Sequence, residues 1–210
     1  MQQRCEASIT AVIPAYNEAA HIGKVIEEAS LVAGEVIVID DASSDDTRLS
    51  AEKAGATVIT LPARSGYVSA IKTGFQHANG DVIVTLDADG ELSPKYIQTL
   101  AKPIIEEKAD MTQGHRTSIA RPSERLLNWL ANMRFIVGDS GTGMRAVRAD
   151  LAKTLELRGA CICGVFALEV ASKGGRILEI PIQLNKTAKP RKIAWYHFRQ
   201  FFYLLPWLLK

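Results

Sequence analysis

The stretch Gly-Asp-Val-Ile-Val-Thr-Leu-Asp-Ala-Asp-Gly, residues 80–90, decides the fold of this chain. Its short, apolar and largely β-branched run over 81–86 is typical of a strand buried on both faces of a sheet. The turn signal Asn79-Gly80 precedes the run, and Asp87 and Asp89 follow it. In an open parallel sheet, ligands bind outside the carboxyl ends of the strands, so these two carboxylates mark a candidate site.

Similar elements lie on both sides of this strand. Short apolar runs predict further strands at 8–13, 35–40, 57–61, 110–113, 139–147 and 176–182. Apolar residues at helical spacing, or turn and cap signals, predict helices at 18–32, 66–78, 94–107, 123–136 and 165–172. A further short helix is predicted to end at Ala54, with Asp46 or Thr47 as its amino-terminal cap. Because strands and helices alternate with short loops, we predict an α/β fold with a Rossmann-like, mostly parallel sheet flanked by helices.

The composition is that of one ordinary globular domain. The chain has 210 residues, of which 47% are hydrophobic and 23% charged, which excludes a disordered chain, a collagen-like repeat and a disulfide scaffold. The three cysteines, Cys5, Cys161 and Cys163, are too few for a disulfide framework and favour a reducing compartment. The first twenty residues have no basic region followed by an apolar run, so we expect no signal peptide.

The carboxyl-terminal part differs in charge from the rest. After Glu179 there are six basic residues and no acidic one, which leaves a charge of about −4 on residues 1–179. Residues 193–210 hold seven of the fourteen aromatic residues, together with His197, Arg199 and Pro206. We expect this tail to be an amphipathic segment at a membrane surface; the alternative is a helix that packs on the core or on a partner.

Three predicted strand ends carry polar side chains that could form one site. They are Pro14-Ala15-Tyr16-Asn17-Glu18, Asp40-Asp41 and Asp87-Ala88-Asp89. Alternation along the last segment puts its two carboxylates on the same side, where a hard divalent cation such as Mg²⁺ or Mn²⁺ would offset their repulsion. No P-loop and no Gly-x-Gly-x-x-Gly follows the first strand. The alternative for Asp40-Asp41 is a helix cap.

Four segments together resemble the family 2 glycosyltransferases. They are Ala-Val-Ile-Pro-Ala-Tyr-Asn-Glu (11–18), Val-Ile-Val-Ile-Asp-Asp-Ala-Ser-Ser-Asp-Asp-Thr (36–47), the stretch at 80–90 and Asp-Ser-Gly-Thr-Gly-Met-Arg-Ala (139–146). Their order and spacing over about residues 9–182 are most similar to dolichol-phosphate mannose synthase and the polyprenyl-phosphate sugar transferases. The resemblance implies a GT-A fold over residues 1–192, with 193–210 as a separate tail.

The resemblance also implies roles for individual residues. Pro14, Ala15, Tyr16 and Glu18 would line the base and ribose pocket of a nucleotide-sugar, with Ile39 and Asp41 on the opposite wall. Asp87 would contact the ribose or the sugar side, and Ala88 would also bind the nucleotide-sugar. Asp89, with Asp87 and Glu91, would bind the metal. Arg116 would contact a phosphate, Asp139 would orient a neighbour or approach the acceptor, serving as the base if the acceptor is a hydroxyl, and Lys189, Arg191 and Lys192 would lie near a diphosphate or acceptor phosphate.

The implied reaction is an inverting, Mg²⁺- or Mn²⁺-dependent transfer of a hexose, with mannose from GDP-mannose favoured, to a polyprenyl or dolichyl phosphate. We expect the protein to act on the cytoplasmic side, attached peripherally or through a membrane-spanning partner subunit, with no nucleic-acid partner. Three alternatives remain: a UDP-glucose-using or glycan-hydroxyl-directed enzyme of the same family, a catalytically inactive nucleotide-sugar-binding subunit, and a signalling receiver-like domain.

Overall fold

The computed structural model describes residues 7–116, 139, 141–159, 161–185 and 203. Its strands are β1 (Ile9–Ala15), β2 (Glu35–Asp40), β3 (Thr57–Thr60), β4 (Val82–Thr85), β5 (Met111–Arg116), β6 (Arg145–Arg148) and β7 (Ile177–Ile182). Its helices are α1 (Ile22–Ser30), α2 (Thr47–Lys53), α3 (Tyr67–His77), a 3₁₀ turn (Pro94–Tyr96), α4 (Ile97–Ile105), α5 (Ala149–Lys153) and α6 (Val165–Ser172).

The seven strands form one sheet in the order β3-β2-β1-β4-β6-β5-β7. All neighbouring pairs are parallel except those of β6, which runs antiparallel to both β4 and β5. The predicted mostly parallel sheet is therefore confirmed. Because β6 is reversed, its first residue, Arg145, lies at the same edge of the sheet as the carboxyl ends of the parallel strands.

Each face of the sheet is covered by its own set of helices. Alternate residues of β1 point to opposite faces: Ile13 packs in one core with α1, α2 and α4, whereas Val12 packs in the other with α3, α5 and α6. This two-sided burial explains why the central strands β1, β2 and β4 are largely apolar instead of alternating with polar residues.

Helix α3 lies unusually close to the sheet at one position. A Cβ atom on Gly74 would be 2.2 Å from Cγ1 of Val12, so only glycine allows the helix to approach β1 this closely. The same helix begins at Tyr67, at the edge of the sheet where the candidate site lies. The packing of α3 on β1 therefore fixes where the first turn of the helix is placed.

Two sequence expectations need correction. The strand predicted at 139–147 begins only at Arg145, because Asp139 bends the preceding chain: its Oδ1 accepts a hydrogen bond from the Gly141 amide at 3.3 Å. Neither Asp46 nor Thr47 caps α2 with its side chain; Asp45 Oδ1 accepts from the Thr47 amide at 3.0 Å instead. The predicted helix at 123–136 and the tail at 193–210, except Tyr203, lie outside the described residues.

Candidate active site

The loop after β1 and the loop after β2 are hydrogen-bonded to each other at the edge of the sheet. The Asn17 amide donates to Ser43 Oγ at 3.0 Å, and the Asn17 side-chain oxygen accepts from the Ser44 amide at 2.9 Å. The Glu18 amide donates to Thr47 Oγ1 at 2.7 Å. These contacts hold the segment that contains Pro14, Ala15, Tyr16 and Glu18, the residues predicted to line a nucleotide pocket, next to the end of β2.

Arg64 is a cationic residue at this edge that the sequence analysis missed. Its guanidinium carbon lies 4.0 Å from the centroid of the Tyr16 ring, within the range of a cation–π contact. The aromatic ring predicted to bind the nucleotide base therefore carries a positive charge beside it. The local sequence does not identify Arg64 as a site residue, because Arg64 follows β3 whereas the Tyr16 ring that it contacts follows β1.

Asp41, predicted to form the opposite pocket wall, is bonded to the start of α3. Its carboxylate is almost fully buried and accepts hydrogen bonds from the Ser65 amide at 2.6 Å and from the Gly66 amide at 2.9 Å. The neighbouring Asp40 is also buried, and its Oδ1 accepts from the Ser43 amide at 3.2 Å. Both carboxylates thus accept hydrogen bonds from backbone amides, but these amides all precede the first residues of α2 and α3. The helix-cap alternative for this pair is therefore not realised.

Ile39 differs from its predicted position on the pocket wall. Its side chain has no exposed surface and packs in the core on the α3 side of the sheet, with Ile37 and Ile71. The reason is strand alternation, which turns Ile39 toward α3. A nucleotide bound at this edge of the sheet would therefore have no direct access to the Ile39 side chain.

Asp87 lies in a pocket formed by Tyr67 and Gly143. The Tyr67 hydroxyl donates to Asp87 Oδ1 at 3.0 Å, and a Cβ on Gly143 would be only 2.0 Å from Asp87 Oδ2. Burial first, and then the nearby Asp87 charge, raises the pKa of Tyr67 well above its usual value, so the hydroxyl stays protonated and remains a donor. Sequence analysis did not identify Tyr67, since a tyrosine at a helix start carries no distinctive signal.

A buried guanidinium lies close to this pocket. The Arg145 side chain is 1% exposed, and its guanidinium carbon is 5.5 Å from the centroid of the Phe166 ring. Burial lowers the pKa of Arg145, while the surrounding negative groups, Asp139 and Asp87 among them, act in the opposite direction. The site therefore contains positive charge in a place from which water is largely excluded, where electrostatic interactions are strongest.

The Asp89–Glu91 loop follows β4 and contains the remaining predicted metal ligands. Asp89 Oδ1 accepts a hydrogen bond from the Glu91 amide at 3.0 Å, and Ala88 is buried beneath the loop. Within the described part of the chain, no group of three histidine, cysteine or acidic side chains lies close enough to hold a metal ion. The carboxylates of Asp87 and Asp89 are the hard oxygen donors that suit Mg²⁺ or Mn²⁺, which takes much of its shell from water and substrate phosphate.

Arg116 and Asp139 form a buried ion pair. Arg116 Nε donates to Asp139 Oδ2 at 2.7 Å and Nη2 donates to Oδ1 at 2.8 Å, and the Arg116 amide also donates to Oδ2 at 3.1 Å. Burial alone would raise the pKa of Asp139, but the hydrogen bonds and charge of Arg116 outweigh it and hold the pKa below its usual value. This agrees with an orienting role for Asp139 and opposes the role of a general base, because a buried carboxylate with a lowered pKa is a poor proton acceptor.

A second carboxylate, Glu179, extends this ion pair and was missed by the sequence analysis. Its Oε1 accepts from Gln113 Nε2 at 2.7 Å and from the Asp139 amide at 3.1 Å, and its Oε2 lies 3.3 Å from His115 Nδ1. Glu179 lies on β7, which pairs with β5 in parallel. The register of these two strands creates the network, and that register cannot be obtained from either segment alone.

The predicted phosphate ligands Lys189, Arg191 and Lys192 lie outside the described residues, so their placement stays a prediction. None of the helices in residues 7–116 and the later described segments is long and apolar enough to cross a bilayer.

Comparison with known proteins identifies relatives for most of the chain. Residues 10–153 match the description Glycosyl transferase family 2. An undecaprenyl-phosphate 4-deoxy-4-formamido-L-arabinose transferase of Klebsiella pneumoniae is 33% identical over 166 residues, which is 68% of this chain and 49% of that protein. An uncharacterised protein of Methanocaldococcus jannaschii is 28% identical over 195 residues, 83% of this chain and 80% of that one. The chain thus spans about half the length of the arabinose transferases that it matches.

Solved structures with the same fold include enzymes bound to nucleotides. Glucosyl-3-phosphoglycerate synthase of Mycobacterium tuberculosis, in complex with Mn²⁺, uridine diphosphate and phosphoglyceric acid, superposes with a TM-score of 0.83 and 22% identity, over 96% of this chain and 78% of that one. The same synthase with Mn²⁺, UDP-glucose and phosphoglyceric acid gives a TM-score of 0.83 at 23% identity, over 96% of this chain and 80% of that one. At this level of identity the likeness establishes the GT-A fold.

Proposed function

This chain belongs to glycosyl transferase family 2, and on that basis we propose that it is an inverting, metal-dependent glycosyltransferase that moves a hexose from a nucleotide-sugar to a polyprenyl or dolichyl phosphate. The observation that carries the proposal is that Asp87 and Asp89 lie at the same edge of the sheet as the buried guanidinium of Arg145 and the Arg116–Asp139 ion pair. Carboxylates and cations side by side are what a metal–diphosphate complex requires.

The cations of the site match the charge that develops in the reaction. Breaking the glycosidic bond leaves negative charge on the nucleoside diphosphate, and preorganised cations stabilise that charge where it appears. A divalent ion bound by Asp89, with Asp87 and Glu91 beside it, would supply Lewis-acid stabilisation of the same diphosphate. The protein's own part is to hold the donor at this edge of the sheet, between the Tyr16 ring with Arg64 and the Asp87 carboxylate.

The state of Asp139 favours a phosphate acceptor over a hydroxyl acceptor. A sugar hydroxyl needs a base to remove its proton, and Asp139, the candidate base by its motif, is committed to Arg116 by three hydrogen bonds. A lipid phosphate is largely ionised near neutral pH, with a second pKa of about 6 if it resembles other phosphomonoesters. Such a nucleophile needs positioning and charge neutralisation rather than deprotonation.

We place the donor and the location of the reaction as follows. GDP-mannose remains the favoured donor. A UDP-linked sugar is the second candidate, since solved structures of the same fold contain uridine diphosphate or UDP-glucose. The acceptor lipid locates the reaction at a membrane surface, where the aromatic and basic tail at 193–210 would attach the protein peripherally or to a membrane-spanning partner.

The Asp89→Ala variant tests the proposal. Because removal of a metal ligand loses transition-state stabilisation, we expect transfer to polyprenyl phosphate in Mn²⁺ to fall by at least about a hundredfold, with an unchanged melting temperature. Radiolabelled sugar transfer from GDP-mannose and from UDP-glucose measures the activity and identifies the donor. Asp150→Ala, which removes an exposed carboxylate at the opposite edge of the sheet, is the control and should keep full activity. Full activity of Asp89→Ala would contradict the proposal.

A further inference from the structure

The segment that follows β7 is hydrogen-bonded along the loop that contains Asp89 and Glu91. The Asn185 amide donates to the Glu91 carbonyl at 2.8 Å, and Asn185 Nδ2 donates to the Gly90 carbonyl at 3.1 Å. Next to these contacts, Leu184 and Leu92 form an antiparallel β-bridge, and Leu92 is 2% exposed. One asparagine, 95 residues away in the sequence, therefore contacts two consecutive peptide groups of the loop.

These two contacts restrain the backbone on both sides of Glu91. The Gly90 carbonyl belongs to the peptide plane before Glu91, and the Glu91 carbonyl belongs to the plane after it. Because a residue's φ and ψ are the only soft angles between its two flanking planes, holding both planes fixes the direction of its Cα–Cβ bond, from which the side chain extends. Asn185 bonds to both planes, and Leu92 anchors the far end of the loop in the core.

The same contacts extend to the Asp89 carboxylate. The Gly90 carbonyl that accepts from Asn185 Nδ2 and the Glu91 amide that donates to Asp89 Oδ1 are the two ends of one peptide group. The connection runs from the Asn185 amide group, through this peptide, to Asp89. Hydrogen bonds in such a chain polarise one another, so each strengthens the next.

We propose that Asn185 is a positioning residue that orients Asp89 and Glu91 for the divalent ion. This inference rests on the proposed function, since it assumes that these carboxylates bind the metal of a metal–diphosphate complex. Asn185 itself touches neither metal nor substrate in this assignment; it acts through the Gly90–Glu91 peptide. Its side chain is exposed, so the contact is made at the surface of the loop and not in the core.

The test compares Asn185→Ala with Asn79→Ala. Asn79 is the matched control, because it too is exposed and its Nδ2 donates to a carboxylate, Glu35 Oε1 at 2.7 Å, but at the opposite edge of the sheet. Electron paramagnetic resonance measures free Mn²⁺ in titrations of the full chain with saturating GDP or, separately, UDP. Because one net hydrogen bond corresponds to about a fivefold change in affinity, we expect Asn185→Ala to bind Mn²⁺ about three- to tenfold more weakly.

Each outcome distinguishes the inference from the proposed function. Wild-type Mn²⁺ affinity in Asn185→Ala, together with lost binding in Asp89→Ala, would overturn the positioning role alone. Equal weakening in Asn79→Ala would also overturn it, since the effect would then be general destabilisation. Wild-type binding in Asp89→Ala would overturn the proposed function and, with it, this inference. Weaker binding in Asn185→Ala with unchanged melting and an unaffected Asn79→Ala would support the inference.

Discussion

At the scale of single residues, the contact of Asp87 with Gly143 is the tightest constraint in the site. The Asp87 carboxylate occupies the space where any side chain at position 143 would begin. The Tyr67 hydroxyl holds the carboxylate there from α3. The role of Gly143 is therefore to let the Asp87 carboxylate lie directly against the backbone of the segment before β6.

The Gly143→Ala substitution tests this role. The new Cβ would lie 2.0 Å from Asp87 Oδ2 and 2.4 Å from Cγ, so the carboxylate must move. We expect a loss of about 1–3 kcal/mol in the free energy of unfolding from overpacking, and weaker binding of nucleoside diphosphate with Mn²⁺. Urea denaturation and calorimetric titration measure the two effects.

Gly23→Ala is the control for this substitution. Gly23 lies in α1, and a Cβ there would meet nothing within 4 Å. Alanine has the higher helix propensity, so this variant should gain about 0.5 kcal/mol and bind nucleotide normally. A Gly143→Ala protein with unchanged nucleotide binding would show that the position of Asp87 does not matter for the ligand.

At the scale of elements, α3 is placed by contacts at both ends of its buried face. Gly74 lets it approach β1, and Asp41 at the end of β2 binds the amides that precede its first turn. Its first residue, Tyr67, then reaches Asp87 at the end of β4. The helix thereby connects the ends of two strands that are separated in the sheet by β1.

The Asp41→Ala variant should destabilise the protein through α3. It leaves the amides of Ser65 and Gly66 without their carboxylate acceptor, and hydrogen bonds to buried charged groups are strong. We expect a loss of about 2–4 kcal/mol in the free energy of unfolding, measured by urea denaturation. Asp46→Ala, an exposed position with no side-chain bond to α2, should stay within about 0.5 kcal/mol of wild type. An Asp41→Ala protein as stable as wild type would contradict this role of Asp41 in placing α3.

At the scale of the whole molecule, the described carboxyl groups with a shifted pKa are all shifted in the same direction. Hydrogen bonds and the charge of Arg176, with Arg148 nearby, lower the pKa of Asp110, and Arg116 outweighs burial to lower that of Asp139. The others with a lowered pKa are Glu35, Asp45, Asp81, Glu106 and Asp150. Because the folded pKa lies below the unfolded value, the unfolded chain binds more protons in acid.

These shifts predict that the protein loses stability in acid. The stabilisation from these groups is complete above the unfolded pKa of about 4, and it is lost as the pH falls through the lower folded values. We expect the urea midpoint to fall steadily below about pH 4. The Asp110→Asn variant should be less stable than wild type at pH 7 and should lose less stability between pH 4 and pH 2. An Asp110→Asn protein whose midpoint falls with pH as steeply as that of wild type would contradict this account.

The sequence by itself determined the order of strands and helices along the chain and the edge of the sheet at which the candidate site lies. Short β-branched strands that alternate with amphipathic helices predict a mostly parallel sheet. Parallel strands bring their carboxyl ends to one edge of that sheet. The gathering of Asp41, Asp87 and Asp89 at that edge follows from this rule. The four segments with family resemblance were also sufficient to predict the GT-A fold, which the structural comparison confirms.

Only the tertiary structure decided which side chains contact one another at that edge. Tyr67 and Asp87 are 20 residues apart, and Asn185 and Gly90 are 95 apart. Sequence periodicity shows which face of an element a residue occupies, but not which atom of another element lies opposite it. That depends on strand register, on the reversed direction of β6 and on how closely α3 packs on β1. For this reason the residues that support the site were found in the structure and not in the sequence.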